Sequence, residues 1–170
     1  LGVKITELGK TNLHLLDDHL KNCDIIVDAL FGTGLTRPIS GLYKQTIEKI
    51  NKSKKFITAV DIPSGINSDT GVLMGDCIRA DLTLALALFK HGHLLFPAAA
   101  LMGELELIDI EIPPELVTSQ ALEVQVTEES DLRTWFHRRS ADSHKGNYGH
   151  VLVIAGSRGK GSAAGLTALA

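Results

Sequence analysis

Five short apolar segments recur along the chain, with polar or helical segments between them. Ile, Val and Leu dominate these segments, and several are apolar at successive positions, which is typical of strands covered on both faces. We therefore predict strands at 23–31, 56–63, 81–88, 105–112 and 150–156.

Two intervening segments, 11–22 and 41–53, have the apolar spacing of helices. In the second, Leu42, Thr46, Ile47 and Ile50 form one apolar stripe along the predicted helix. Strands that alternate with helices predict an α/β fold whose sheet is mostly parallel and flanked by helices.

A change in composition marks a boundary after the fourth predicted strand. Pro113 and Pro114 end that strand, and the residues that follow are polar and acidic. We predict a first domain at 1–116, a linker at 117–130 and the start of a second domain at 131–170. The chain begins with Leu1 and stops inside a predicted helix, so we expect it to be a fragment of a longer protein.

Composition narrows the class of partner. Of the 170 residues 44% are apolar, and the net charge of −3 gives no reason to expect nucleic acid or an anionic membrane as a partner. No apolar run approaches the roughly 18 residues that span a bilayer. Cys23 and Cys77 lie far apart, as expected of reduced cysteines in a cytoplasmic protein. The sequence leaves homo-oligomerisation open.

Candidate chemistry begins at the end of the first predicted strand, in "DALFGTGLTRP" (28–38). Open α/β sheets bind ligands at the carboxyl ends of their strands. Gly32 and Gly34 would allow a tight turn that presents N–H groups to an anion, and Arg37 could pair with a phosphate. The alternative is a glycine-rich connecting loop with a solvated arginine.

The second predicted strand ends in the same way, in "VDIPSG" (60–65). Pro63 fixes its own φ and favours an extended Ile62, which would hold Asp61 at the rim of the sheet. A partly desolvated acid there can accept a proton, although turn and helix-capping acids are common. Asp28, Asp61 and Ser64 also offer the oxygen ligands that hard cations prefer.

Two further motifs are weaker. His91 and His93 have i, i+2 spacing without a third ligand, which is a poor indication of a metal site. The segment 150–164 predicts a strand, a glycine-rich turn and a helix start, an outline that suits an anion. Ser162 stands where the Walker pattern requires lysine. The loop 156–162 also resembles that of the folylpolyglutamate and Mur ligases.

Together the segments resemble the bifunctional NAD(P)H-hydrate repair enzymes, in which an epimerase domain precedes an ADP- or ATP-dependent dehydratase domain. "DALFGTGLTRPISG", "VDIPSGINSDTG", "ADLTLALALFKHG" and "GELELIDIEIP" carry the epimerase resemblance in the right order. "SHKGNYGHVLVIAGSRGKGSAA" resembles the opening of the dehydratase. The resemblance implies a Rossmann-like epimerase domain followed by the start of a ribokinase-like one.

The resemblance also implies roles for particular residues. Asp61 would be the catalytic acid/base and contact the NAD(P)H hydrate, and Asp28 and Ser64 would bind K⁺. The residues expected to contact the substrate's phosphates are Gly32, Thr33, Gly34, Leu35, Thr36, Arg37 and Pro38. The family's Asn-Gly-Gly-Asp-Gly and Gly-Thr-Gly-Asp segments are absent. We therefore expect this chain alone to catalyse neither reaction, its strand 23–31 to be partly bare and residues from about 117 onward to pack loosely.

The implied chemistry is repair of hydrated nicotinamide nucleotides. The epimerase interconverts the R and S hydrates, and the dehydratase removes water from the S form with ADP or ATP. Two other classes of function stay open. One is a small-molecule kinase or ligase that uses the loop 156–162, and the other is a dinucleotide-binding module without catalysis.

Overall fold

A four-stranded parallel sheet forms the centre of the fold. The computed structural model describes residues 2–136, 138 and 140–169. The strands, which lie side by side in chain order, are β1 Ile25–Asp28, β2 Phe56–Val60, β3 Leu82–Leu86 and β4 Glu104–Ile108. The α/β prediction and the first four predicted strands are confirmed.

Short helices connect and follow the strands. They are α1 Leu15–Asn22, α2 Gly41–Lys52, α3 His91–Leu94, α4 Pro114–Thr118, α5 Glu129–Trp135 and α6 Ser162–Leu169, with 3₁₀ turns at Ala98–Leu101 and Lys145–Tyr148. Both helices predicted before β2 are present. No helix among the described residues is long and apolar enough to cross a membrane.

The chain divides into two compact units, Leu1–Ala121 and Leu122–Ala170. The division lies within the predicted linker, and the sheet belongs to the first unit. The described residues of the second unit form no strand, so the predicted strand at 150–156 is wrong. Val151, Leu152 and Ile154 are more than four-fifths exposed. An extended segment becomes a strand only when a neighbour accepts and donates its backbone hydrogen bonds, and this unit supplies none among its described residues.

The sheet of the first unit has one well-covered face. Alternate strand residues point to it and are buried: Ile57, Ala59, Thr83 and Ala85. The stripe of α2 packs against this face, because Ile47 and Ile50 share one apolar cluster with Ile57. The opposite face is half-bare, with Ile25 and Val27 59% and 64% exposed, as expected from the sequence.

A second apolar cluster anchors the turn that follows β2. Ile62 and Ile66 pack there with Cys77 and Met102. Burial raises the pKa of the Cys77 thiol to about 11, so the group stays protonated and donates a hydrogen bond to the carbonyl of Gly65 (2.9 Å). Gly65 has φ +107°, and a Cβ there would lie 2.7 Å from the Asp76 carbonyl oxygen and from Cys77 Cα. This close approach requires glycine.

We predict that Gly65→Ala destabilises the protein by roughly 2–6 kcal/mol. The reason is that a strained backbone angle and the forced contacts cost roughly 1–3 kcal/mol each. The measurement is the free energy of unfolding from urea titration. Gly34→Ala is the matched control: an added Cβ there meets nothing within 4 Å, so its change should stay within about 1 kcal/mol. Equal effects of the two substitutions would contradict this view of the turn.

Candidate functional site

Asp28 and Ser64 meet at the carboxyl edge of the sheet. Asp28 ends β1, and the turn after β2 folds back onto it because these strands are parallel neighbours. The Ser64 backbone N–H donates to Asp28 Oδ2 and the Ser64 hydroxyl donates to Asp28 Oδ1, each at 2.7 Å. Both residues are buried, 2% and 1% exposed. The two oxygen-bearing side chains therefore lie together, as their strand positions predicted.

Among the described residues, the buried Asp28 carboxylate has no cationic partner. Besides Ser64, only the Leu30 N–H donates to it (3.3 Å), and none of the ion pairs in the described part of the chain includes it. Removing a charge from water is costly unless that charge is compensated. A carboxylate and a hydroxyl are also the ligands that hard cations prefer. The donor set fits a cation at this position.

The glycine-rich loop after β1 borders a cleft of about 430 Å³. Its lining residues are Leu30, Phe31, Gly32, Gly34, Leu35, Thr36 and Arg37. Gly32 and Gly34 were expected to allow a tight turn, and a turn does form at Thr33 and Gly34. Neither glycine has a positive φ, however, and an added Cβ would meet nothing within 4 Å. The fold itself does not require these glycines. They keep open the space in front of the backbone, as the approach of a ligand would require.

The turn after β2 also holds this loop in place. The Phe31 N–H donates to Ser64 Oγ (2.9 Å), the Ser68 hydroxyl donates to the Thr33 carbonyl (3.2 Å), and the Asn67 amide donates to the Leu35 carbonyl (3.3 Å). Sequence reasoning missed Asn67 and Ser68. They follow the VDIPSG motif directly, but their partners lie more than 30 residues away. Arg37 is exposed and belongs to none of the ion pairs among the described residues, so its guanidinium is available to an anion.

Asp61 immediately follows β2 and has φ +67°, an uncommon backbone conformation for a non-glycine residue. Pro63 was expected to hold it, but the hydrogen bonds that do so come from β3 and the segment after it. The Asp61 N–H donates to the Leu84 carbonyl (2.9 Å), and Asp61 Oδ1 accepts from the Leu86 N–H (3.0 Å). Lys90 Nζ forms an ion pair with the same oxygen. The carboxylate side chain is 19% exposed, so it is fixed but accessible.

His93 is buried next to Asp61 rather than in a metal site. Its Nε2 lies 2.7 Å from the Asp61 carbonyl oxygen, and no group of three or more potential metal-binding side chains occurs among the described residues. Lys90 and His93 were both missed as partners of Asp61. They follow β3 in the chain, and only the parallel pairing of β2 with β3 brings them to the end of β2.

A larger groove, of about 860 Å³, lies elsewhere in the first unit. It is lined by side chains of α1, of α2 and of the segment that follows α2, such as Asp17, Lys49 and Lys55. None of the predicted site residues borders it. We consider the smaller cleft the better candidate, because it lies where parallel sheets bind ligands.

Curated relatives match most of this chain. Two curated relatives are named "Bifunctional NAD(P)H-hydrate repair enzyme Nnr". The one from Moorella thermoacetica is 42% identical over 99% of this chain and 32% of its own length. The one from Thermofilum pendens is 40% identical over 92% of this chain and 29% of its own length. The chain thus spans about a third of the length of these relatives.

A solved structure supports the fold alone. The crystal structure of yeast ynu0 matches with a TM-score of 0.51 and 22% identity, over 68% of this chain and 49% of the yeast chain.

A family model described as "YjeF-related protein N-terminus" matches residues 1–92. Since that match covers more than half of the sequence, the chain belongs to the family of the YjeF-related protein N-terminus.

Proposed function

We propose that this chain carries part of the active site of an NAD(P)H-hydrate epimerase, within a bifunctional nicotinamide-nucleotide repair enzyme. The reaction interconverts the R and S hydrates of NADH and NADPH. The names of the relatives support this proposal. They favour it over a kinase or ligase that uses the loop 156–162 and over a dinucleotide-binding module without catalysis.

One observation carries the proposal. A fixed, accessible carboxylate, Asp61, follows β2, while an open glycine-rich loop with an unpaired arginine follows the neighbouring strand β1. A dinucleotide hydrate presents one group that needs proton transfer and a diphosphate that needs N–H donors and positive charge. The two neighbouring strand ends match these two requirements.

Asp61 is the proposed acid/base. Inverting a tetrahedral carbon that bears a hydroxyl requires one of its bonds to break and then re-form on the opposite face. The hydrated carbon also bears the ring nitrogen, so the carboxylate can take the hydroxyl proton as the carbon–nitrogen bond breaks, its electron pair passing to the nitrogen and the carbon becoming a carbonyl. When the nitrogen adds back to the opposite face, the proton returns to the oxygen, and the reaction has no net proton change. The ion pair with Lys90 fixes this carboxylate before substrate arrives.

The loop Gly32 to Pro38 is the proposed phosphate-binding segment. Thr33 and Leu35 have their carbonyls tied to the turn after β2. Open space in front of Gly32 and Gly34 allows a phosphate to approach the backbone. Asp28 and Ser64 would hold K⁺, which when bound would supply positive charge beside the anionic substrate.

The remainder of the proposal concerns the larger protein. Residues 131–170 would begin a dehydratase domain that uses ADP or ATP, acts as a lyase on the S hydrate and is completed outside this chain. Its described residues are mostly exposed, so we expect the 170 residues alone to catalyse neither reaction. Both cysteines are unpaired, which supports a cytoplasmic location. A homo-oligomer is compatible with this proposal.

We predict that Asp61→Asn slows equilibration of the R and S hydrates by roughly 10²–10⁴-fold, because the amide keeps the shape but cannot accept the proton. The measurement is chromatographic separation of the two hydrates over time, with the protein that carries this chain at its natural length. Asp24→Asn is the matched control, since Asp24 is exposed at the start of β1. Equilibration by Asp61→Asn at the wild-type rate would make Asp61 structural.

We predict a cation-specific stabilisation that depends on Asp28. A bound ion at ten times its dissociation constant adds roughly 1.4 kcal/mol to the free energy of unfolding. KCl should therefore raise the melting temperature above that in N-methylglucamine chloride at equal ionic strength. Asp28→Asn and Ser64→Ala should reduce this difference, and Asp24→Asn should keep it. Equal melting temperatures of the wild type in the two salts would contradict a potassium site.

A further inference from the structure

The two oxygens of the Asp61 carboxylate have different surroundings. Oδ1 accepts hydrogen bonds from the Leu86 N–H (3.0 Å) and from Lys90 Nζ. Oδ2 accepts none from the described residues. No buried side-chain oxygen or nitrogen in the described part of the chain lacks a partner, so Oδ2 is accessible to solvent. One oxygen is held by the fold and the other is free.

Lys90 is itself fixed by two contacts. Its ammonium donates to the Leu86 carbonyl (2.8 Å) as well as to Asp61 Oδ1, and its side chain is 24% exposed. Leu86 of β3 therefore contacts both partners of the ion pair. Its carbonyl accepts from Lys90 Nζ, and its N–H donates to Asp61 Oδ1. This arrangement restricts rotation of the carboxylate about its Cβ–Cγ bond.

His93 fixes the backbone beneath this pair. It is 2% exposed, and its Nδ1 accepts a hydrogen bond from the Lys90 N–H (3.0 Å). The proton must then lie on Nε2, which donates to the Asp61 carbonyl oxygen (2.7 Å). The ring thus joins the backbone of Lys90 to that of Asp61, at a residue whose φ of +67° is unfavourable without external contacts.

We propose that Lys90 and His93 are positioning residues for Asp61. They fix the carboxylate so that Oδ1 stays hydrogen-bonded within the fold and Oδ2 faces the substrate. This inference rests on the proposed function and deepens it. It assigns the proton transfer to one atom, Oδ2. Lys90 acts through Asp61 and takes no part in the proton transfer itself.

A simple stabilising role explains the geometry less well. Exposed ion pairs contribute little to stability on average, and for buried pairs the cost of desolvation can exceed the gain. Lys49 and Asp17 form a more exposed pair between α1 and α2, with side chains 33% and 43% exposed. Lys90 instead donates to the same carboxylate oxygen as a backbone N–H, and the other oxygen accepts no hydrogen bond from the described residues. The Lys49–Asp17 pair therefore provides a matched comparison.

His93 should contribute a pH-dependent part of stability. Burial is the main cause that lowers the pKa of His93 from the usual 6.5, and the positive charge of Lys90 lowers it further. The hydrogen bond to the Asp61 backbone and the charge of the Asp61 carboxylate act in the opposite direction. Since the unfolded chain binds the proton more readily, this contribution is complete above about pH 6.5 and is lost as the pH falls below it. The unfolding equilibrium should shift by up to about tenfold per pH unit from this group.

Urea titrations between pH 8 and pH 5 test this prediction. His93→Gln, which keeps a donor near the Asp61 carbonyl but cannot be protonated, should show a flatter dependence on pH than the wild type. His91→Gln, at an exposed neighbour, should follow the wild type. Parallel curves for the wild type and His93→Gln would show that His93 is not held neutral.

The decisive experiment removes the ammonium and then supplies it again. Lys90→Ala should lower kcat for hydrate equilibration on the order of 10²-fold, the scale of a misplaced catalytic group, with little change in KM. Propylammonium, which replaces the missing side-chain atoms, should restore part of the rate. Tetramethylammonium at equal concentration should not. Lys49→Ala should keep wild-type kinetics.

Each outcome has a distinct meaning. If the wild-type protein that carries this chain at its natural length does not equilibrate the hydrates, both the proposed function and this inference are overturned. Loss of activity in Asp61→Asn with wild-type kcat in Lys90→Ala would overturn only the positioning role. Loss without amine rescue would also overturn it, provided that Lys90→Ala retains the wild-type melting temperature. If Lys90→Ala does not fold, Lys90→Met and Lys90→Arg replace it. Only the arginine variant should then retain measurable activity.

Discussion

The buried carboxylate of Asp28 is the constraint on which the rest of the site depends. A charge at the end of β1 can be buried only if donors surround it. The turn after β2 supplies them through the backbone N–H and the hydroxyl of Ser64. The same hydroxyl accepts from Phe31, so one buried acid determines the position of both the turn and the glycine-rich loop.

The two acids at the carboxyl edge of the sheet differ in their surroundings. Asp28 is enclosed, and it organises the loops with Ser64. Asp61, after the next strand, is only partly enclosed, and its contacts come from Leu86, Lys90 and His93. Two acids that look alike in the sequence thus have different surroundings in the fold. One suits a bound cation and the other suits proton transfer.

Part of this arrangement could be predicted from the sequence, since the strands follow from local apolar patterns and successive parallel strands often lie side by side. Four of five strands and the meeting of Asp28 with Ser64 follow from apolar runs and parallel pairing. The segment 150–156 failed as a strand because its apolar pattern says nothing about whether a partner strand is present. Lys90 and His93 could not be found, because their role depends on where β3 lies relative to β2. The spacing of His91 and His93 instead suggested, weakly, a metal site.

We propose that a dinucleotide hydrate binds across the ends of β1 and β2 with its reacting carbon at Asp61. A crystal structure of the protein that carries this chain, with an NAD(P)H hydrate bound, tests it most directly. We predict that the ring hydroxyl lies within hydrogen-bonding distance of Asp61 Oδ2 and that the diphosphate contacts residues 32–38. A hydrate bound instead in the groove between α1 and α2, with Asp61 free of contact, would contradict it.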